Sequence, residues 1–401
     1  MNIFKKFYCR TFQTIFRLAI PLLPYREPKL LNSNQEVADT LSKNNISKVL
    51  LVSDKGIRGL GLTLNLEKAL SDNNIQFEIF DDVVPNPTTD NVEQALAIYK
   101  STGCQGLIAF GGGSVMDCAK AVGARVVKPK KTLAKMKGVM KVRKRLPLLV
   151  AVPTTAGTGS ETTIASVITD NVTRHKYAIN DFSLIPHYAL LDPHLTVGLP
   201  KSITATTGMD ALTHSVEAYI GRSTTKSTRK HARFAVKTIF ENLEEVYFNP
   251  TNIEARKKML LASYCSGLAF TKSYVGYVHA IAHSLGGKYN IPHGHANAVI
   301  LPIMLKEYGK KIWKKLWKLG IYANLFDKTQ SKESGAKIFI EKIQSMNENM
   351  NIPQNIPQIE DKDIPVLAKT AEQEANPLYP VPVLYTAKQL EKIYYKIKNL
   401  S

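Results

Sequence analysis

Between Ser47 and Asp192, short apolar and β-branched runs alternate with longer amphipathic stretches. Four of these runs, Lys48–Ser53, Phe77–Phe80, Gln105–Phe110 and Leu148–Thr155, are bounded by Gly, Pro, Asn or Asp and read as buried strands separated by helix-length segments. This alternation predicts an α/β layer structure with a mainly parallel sheet. Beyond about Pro200 the texture changes. Gly208–Gly221, Arg229–Tyr247, Ile253–Phe270 and Tyr274–Gly287 keep the helical period over long stretches with almost no strand-like runs, which predicts an all-α domain. The boundary falls near Leu195–Ser202. The expected organisation is an N-terminal extension over 1–30, an α/β domain over 31–198 and a helical domain over 199–401, with no internal repeat, low-complexity tract or long linker.

Read at helical spacing, Phe4, Tyr8, Phe12, Ile15, Phe16 and Ala19 of the extension form one apolar stripe, with Lys5, Lys6, Arg10 and Arg17 largely off it. The segment begins like a secretory leader. Arg10 and Arg17 interrupt its apolar stretch, Pro21 and Pro24 break its end, and no small-residue cleavage site follows, so cleavage is not expected. Packing of the stripe on the chain's own fold or on a partner subunit is favoured over a lipid surface.

Composition narrows the class. A chain of 401 residues exceeds the usual size of one hydrophobic core, so two domains are the default. No uncharged apolar run approaches the roughly 18 residues of a membrane span. Cys9, Cys104, Cys118 and Cys265 have no CxxC spacing, which argues against a disulfide framework and a cysteine zinc site and for a cytoplasmic setting. The formal charge of +20 is densest between Arg125 and Arg145, where ten residues are basic. That stretch has no aromatic to stack on bases and matches no recognition module, so it reads as a solvated segment between two strands, and no nucleic-acid partner is expected. Positive potential also favours anionic cofactors and substrates.

Within the α/β half, the strand ending at Phe110 runs into Gly111, Gly112, Gly113 and Ser114 and then a helix. Glycines permit tight turning and close approach, and free N–H groups at a helix start suit a phosphate. Ser114 reads as the N-cap, with Asp117 completing a capping box. The usual dinucleotide fingerprint places an acidic residue about 20 positions after the glycines, yet the best candidate here is the much earlier Asp54. A carboxylate there suits a ribose hydroxyl and repels a 2′-phosphate, favouring NAD over NADP, although an Asp at a strand end is also an ordinary turn residue. Thr154–Thr162 packs five hydroxyl residues and two glycines into nine positions, either for a polar cofactor or as a β-turn cluster.

Only nine histidines occur in the chain, and four of them, His279, His283, His293 and His295, fall within seventeen residues. Asp210 and His214 are four apart on one predicted helix, as are His279 and His283 on another; residues 285–289 end the latter, and a tight turn returns His293 and His295. Three imidazole nitrogens and one carboxylate oxygen can surround a divalent ion such as Fe²⁺ or Zn²⁺ and leave a position open for substrate. Spacing alone does not choose three histidines from the four.

The motifs "GGGSVMDCAK", "PTTAGTGSE", "GMDALTHSVEAY" and "HAIAHSLGGKYNIPHGHANAVILP", in this order, resemble those of the iron-containing (group III) alcohol dehydrogenases, from about residue 30 to the end and including "EANPLYPVP". The resemblance implies an N-terminal dinucleotide-binding α/β domain and a helical metal-binding domain. It implies metal ligation by Asp210, His214, His279 and His293, with His283 beside the site as a proton-relay candidate and His295 in a packing role. Its cofactor contacts correspond to Asp54, Asn86, Gly112, Gly113, Ser114, Thr154, Thr155, Thr158 and Lys176. The implied chemistry is reversible hydride transfer between a primary alcohol or diol, or its aldehyde, and NAD, with Fe²⁺ expected and Zn²⁺ compatible with the donor set, in a homo-oligomer, most simply a dimer. Dehydroquinate synthase and the zinc-dependent glycerol dehydrogenase resemble this architecture too, but the wording of residues 153–161 and 292–297 favours an alcohol dehydrogenase. Lys272, Tyr274 and Tyr277 depart from the pattern, so a substrate preference does not carry over from any one relative.

Overall fold

The computed structural model describes residues 1–172 and 175–399. The chain divides into two compact units, one of Pro24–Val197 and one of Met1–Leu23 with Gly198–Ser401. The first helix, α1 (Ile3–Ala19), thus groups with the helical unit, whereas β1 (Lys29–Leu31) already belongs to the α/β unit.

The α/β unit continues through α2 (Asn34–Lys43), β2 (Lys48–Val52), α3 (Lys55–Gly59), α4 (Leu64–Asp72), β3 (Gln76–Phe80), α5 (Thr89–Ser101), β4 (Gly106–Gly111) and α6 (Gly113–Val127). It then runs through α7 (Leu133–Met136), β5 (Gly138–Val139), β6 (Leu148–Pro153), β7 (Ala165–Thr169), β8 (Lys176–Asn180) and β9 (Tyr188–Leu190). Six strands form one sheet in the order β1-β9-β6-β4-β2-β3, every pair parallel. The remaining three form a small sheet, β5-β8-β7.

Alternation along the central strands explains their unbroken apolar runs. Leu50, Val52, Leu107 and Ala109 point into one core with Ala95, Val115 and Met116, while Val49, Leu51, Ile108 and Phe110 point into the other with Val37, Leu41 and Leu66. Both faces are covered by helices, so no position on these strands can be polar without cost. Of the four anticipated strands, β2, β4 and β6 lie inside the sheet and β3 is an edge. β1 and β9 are three residues each and are fixed by pairing, β1 on β9 with Lys29 opposite Tyr188 and β9 on β6 with Val150 opposite Tyr188, so no periodicity announced them.

The helical unit contains α8 (Lys201–Ile220), α9 (Lys226–Phe248), α10 (Ile253–Ser273), α11 (Tyr277–Tyr289), α12 (His293–Tyr308), α13 (Trp313–Tyr322), α14 (Lys332–Asn349), α15 (Ile364–Ala375) and α16 (Ala387–Lys398). α8 packs against α9, α10 and α12, and every residue from Gly208 to Ile220 is buried. A helix buried all round is the core of its unit, so Asp210 and His214 are far from the solvated face on which such pairs are common. α11 runs through Gly286 and Gly287 to Tyr289 and stops at Asn290, whose φ of 54° ends the helix in the left-handed region.

α1 packs on this unit, but not through the stripe read from the sequence. Its buried residues are Cys9 and Gln13; Phe12, Phe16 and Ala19 are half-buried, and Phe4, Tyr8 and Ile15 are exposed. Polar anchors set the roll of the helix. Arg10 donates to the carbonyls of Val381 (2.7 Å) and Pro382 (3.0 Å), Gln13 donates to that of Tyr379 (2.7 Å), and Lys5 pairs with Glu372 at 2.6 Å. Carbonyls without a regular partner outweigh a shift in apolar area, because each one left dry costs about 1–3 kcal/mol. Among the described residues no helix is long and apolar enough to cross a membrane.

Candidate functional site

In the helical unit, four side chains from three helices converge. Asp210, His214, His279 and His293 each bring a donor atom, all within 4.8 Å of one another. Asp210 Oδ1 lies 3.8 Å from His214 Nδ1, 3.7 Å from His279 Nε2 and 3.5 Å from His293 Nε2. Donors bound tetrahedrally at the usual distances lie roughly 3.4 Å apart, close to the three Asp210 separations, so a transition-metal ion can draw this set together. The donor chemistry fits as well, and the buried His214 Nδ1 has no hydrogen-bond partner. His293 is not in a turn; it is the first residue of α12, which gives it a fixed direction from the helix start.

Electrostatics follow from this crowding. Burial alone would raise the Asp210 carboxyl, but the imidazoles of His214, His293 and His279 outweigh it and hold the group below the usual carboxylate range. Burial pushes His214 well below an ordinary imidazole, leaving it neutral, the form that ligates. Burial also pulls on His279, yet the carboxylates of Asp210 and Glu217 prevail, Glu217 through a 2.7 Å contact to Nδ1, and raise it to about 9. A cation among these donors competes with that proton.

Three residues escaped the sequence reading. Glu217 is buried and accepts from Gly276 N–H (2.8 Å), Val278 N–H (2.9 Å) and His279 Nδ1 (2.7 Å). A carboxylate behind a metal-facing imidazole fixes its tautomer and orientation. Gly276 is required there, since a Cβ would stand 2.5 Å from Glu217 Oε1. Asn297 Nδ2 bridges Asp210 Oδ1 (2.7 Å), His279 Nε2 (3.2 Å) and His293 Nε2 (3.0 Å). Glu374 Oε1 lies 2.6 Å from His283 Nδ1 and accepts from Tyr379 Oη at 2.7 Å. Helical spacing offered a signal for two of them: Glu217 lies seven residues after Asp210, and Asn297 four after His293. Glu374 is distant in sequence and gave none. His283 itself stacks on His293 at 5.1 Å with its ring 45% exposed, beside the cluster but turned toward Glu374.

In the α/β unit, Gly112 to Ser114 start α6 at the end of β4. None of the three successive glycines takes a left-handed φ; the run serves close approach, because a Cβ on Gly111 would meet Val115 at 2.6 Å. The N-cap is Gly112, so Ser114 lies inside the helix and no capping box forms. Ser114 Oγ instead accepts from Asn86 N–H at 3.2 Å. Asp117 is drawn to the hydroxyl loop, accepting from Ser160 Oγ (3.1 Å) and Val167 N–H (3.0 Å). Three of the loop's threonines meet the glycines: Thr154 N–H donates to the Gly111 carbonyl at 3.2 Å, and Thr155 and Thr158 lie beside Gly112 and Gly113. Asp54 caps α3, accepting from Ile57 N–H at 2.9 Å, the ordinary role weighed for it. Lys176 lies on the small sheet opposite Thr169, whose N–H donates to Pro87 next to Asn86.

One buried cation holds this arrangement. Lys120 is fully buried, and its ammonium donates to the carbonyls of Ser160 (2.6 Å), Thr163 (3.2 Å) and Ala165 (2.9 Å) and to the hydroxyls of Ser160 (3.1 Å) and Thr163 (2.8 Å). Burial pulls Lys120 down to about 8 against the pull of Asp117 and Glu161, and pushes buried Glu161 up to about 7. The helix that begins at the glycines therefore also clamps the far end of the hydroxyl loop.

Comparison with known proteins assigns both units. The iron-containing alcohol dehydrogenase family matches residues 31–193, and the C-terminal part of the Fe-containing alcohol dehydrogenase family matches 204–398. Alcohol dehydrogenase 4 of Saccharomyces cerevisiae is 35% identical over 364 residues, covering 90% of this chain and 94% of its own. The crystal structure of a 1,3-propanediol oxidoreductase superposes with a TM-score of 0.89 at 32% identity, covering 93% of this chain and 98% of that one. Sulfoacetaldehyde reductase from Bifidobacterium kashiwanohense, solved in complex with NAD⁺, superposes with a TM-score of 0.83 at 26% identity over 94% and 99% of the two chains. With a donor cluster suited to a metal in one unit and a glycine–hydroxyl loop pair in the other, this chain belongs to the iron-containing alcohol dehydrogenase family and is a metal-dependent alcohol dehydrogenase.

Proposed function

We propose that the protein catalyses reversible hydride transfer between a primary alcohol or diol and NAD, with a divalent metal, Fe²⁺ first, held by Asp210, His214, His279 and His293. The observation that carries this reading is the convergence of those four donors within 4.8 Å. When bound, the ion supplies Lewis acidity toward a substrate oxygen and NAD supplies the hydride acceptor. Glu217 holds His279 by Nδ1, presenting Nε2 on the Asp210 side. Glu374 likewise holds His283 by Nδ1, which leaves Nε2 to exchange a proton with substrate or solvent.

The start of α6 at Gly112, Gly113 and Ser114, with Asn86, is read as the seat of the cofactor phosphates, and Thr154, Thr155, Thr158 and Lys176 as its polar surround. The NAD⁺ complex of the sulfoacetaldehyde reductase supports NAD as the cofactor, as does the Asp54 carboxylate, which repels a 2′-phosphate. The α/β unit is thus the cofactor domain and the helical unit the catalytic one. We place the enzyme in the cytoplasm as a homodimer.

Metal analysis of protein purified without oxygen, combined with NADH formation on a panel of alcohols in the same preparation, tests the reading. Absence of any bound transition metal together with absence of turnover overturns it. His283→Ala is expected to keep its metal and lose at least about tenfold in kcat near neutral pH. Full activity across the pH range in that variant removes His283 from proton transfer.

A further inference from the structure

The outer face of α1 is unaccounted for by the dehydrogenase. Ile3, Phe4, Phe7, Tyr8, Ile15 and Leu18 are exposed, Phe4 by 82% and Phe7 by 72%, and Leu22 just beyond the helix by 86%. At 3.6 residues per turn, the six side chains of the helix fall with Thr11 and Thr14 into one continuous arc of about 140°. The opposite face, with Cys9 and Gln13, is the one buried against the helical unit. Cations flank the exposed arc: Lys6 and Arg17 along one edge and Lys5 along the other, all exposed. From Met1 to Arg26 there is no acidic residue. A shallow depression on the face is lined by Phe7, Arg10, Thr11, Thr14 and Ile15.

We propose that this face docks on an anionic lipid surface, with α1 lying in the plane of the interface. Charge selects this occupant. A second copy meeting the same face would set Lys6 and Arg17 against their own counterparts with no carboxylate on either helix to neutralise them, whereas anionic headgroups pair with both; Lys5 already has Glu372 as its partner. The apolar arc matches the acyl boundary, where Phe and Tyr rings are favoured. An isolated peptide of this length must fold as it binds. Here Arg10, Gln13 and the Lys5–Glu372 pair already hold the helix in place, so that ordering cost is absent. No membrane span is involved, and the proposal is independent of the assigned chemistry.

Cosedimentation of the full-length protein with vesicles of phosphatidylcholine alone, and of phosphatidylcholine mixed with phosphatidylglycerol, tests it. Binding is expected to the anionic vesicles only, weakening as salt screens the cations. Phe4→Ser/Phe7→Ser/Leu18→Ser should lower the bound-to-free ratio at least about tenfold, and Lys6→Glu/Arg17→Glu should remove the preference for anionic lipid, both with unchanged melting temperature and dehydrogenase turnover. Wild-type protein left in the supernatant with both vesicle types overturns the proposal, as does equal binding to neutral and anionic lipid. A wild-type assembly that shrinks in the serine variant, with no vesicle binding, also overturns it and assigns the face to a second copy.

Discussion

Glu217→Gln isolates the contribution of a residue that touches neither substrate nor metal. The carboxylate accepts three hydrogen bonds, from Gly276 and Val278 N–H and from His279 Nδ1, and the side chain is buried. Glutamine keeps the shape but offers one acceptor oxygen. In its best orientation that oxygen serves Gly276 and His279, and the new NH₂ confronts Val278 N–H. One buried donor is then unpaired, which costs about 1–3 kcal/mol of stability. His279 also loses the negative charge that raises its basicity, and loss of such a partner typically weakens metal binding 10–100-fold, about 1.4–2.7 kcal/mol. Competition with a chromogenic chelator, performed where wild type and variant are both folded, reads the affinity, and thermal melting of the metal-free protein reads the stability separately. An affinity within about twofold of wild type, with an unchanged melting temperature, would falsify the positioning role.

Lys120→Met removes a cation that serves five acceptors, leaving dry carbonyls at Ser160, Thr163 and Ala165 and two carboxylates nearby, so chemical denaturation should show a loss of about 3–5 kcal/mol. Asp117→Asn in that background should recover part of the loss, and strict additivity of the two changes would refute the coupling. His187 supplies the pH dependence: burial, with Arg26 and Arg145 nearby, pushes its imidazole down to about 4, while Nδ1 accepts from Leu149 N–H at 3.1 Å. Because the folded state binds this proton less readily than the unfolded chain, the stability from this group is complete above about pH 6.5 and is lost as the pH falls toward 4, by at most about 3 kcal/mol. His187→Gln should flatten that part of the profile, and identical pH profiles for variant and wild type would show that another group titrates there.

Much of the α/β unit was legible because burial on both faces of a parallel sheet forces continuous apolar runs, as in Val49–Val52 and Leu107–Phe110. Asp210 with His214, and His279 with His283, were legible for a local reason too: helical period places residues four apart on one face. Local rules also misled. Ser114 and Asp117 have the spacing of a capping box, yet Asp117 answers to Ser160 and Val167 from a distant segment. The stripe on α1 has helical period, yet donors at Arg10 and Gln13 choose which face is buried.

By itself, then, the sequence determined the apolar strands β2, β3, β4 and β6, the long helices after Pro200 and the set of donors from which a metal site can be built, since each depends on neighbours within a turn or a strand. Only the tertiary structure decided which donors meet. α12 starts at His293 and carries its Nε2 to 3.5 Å from Asp210, while a carboxylate ninety-one residues away turns His283 aside. Spacing along one chain segment cannot encode that choice, because the atom that makes it, Glu374 Oε1, arrives on a different helix.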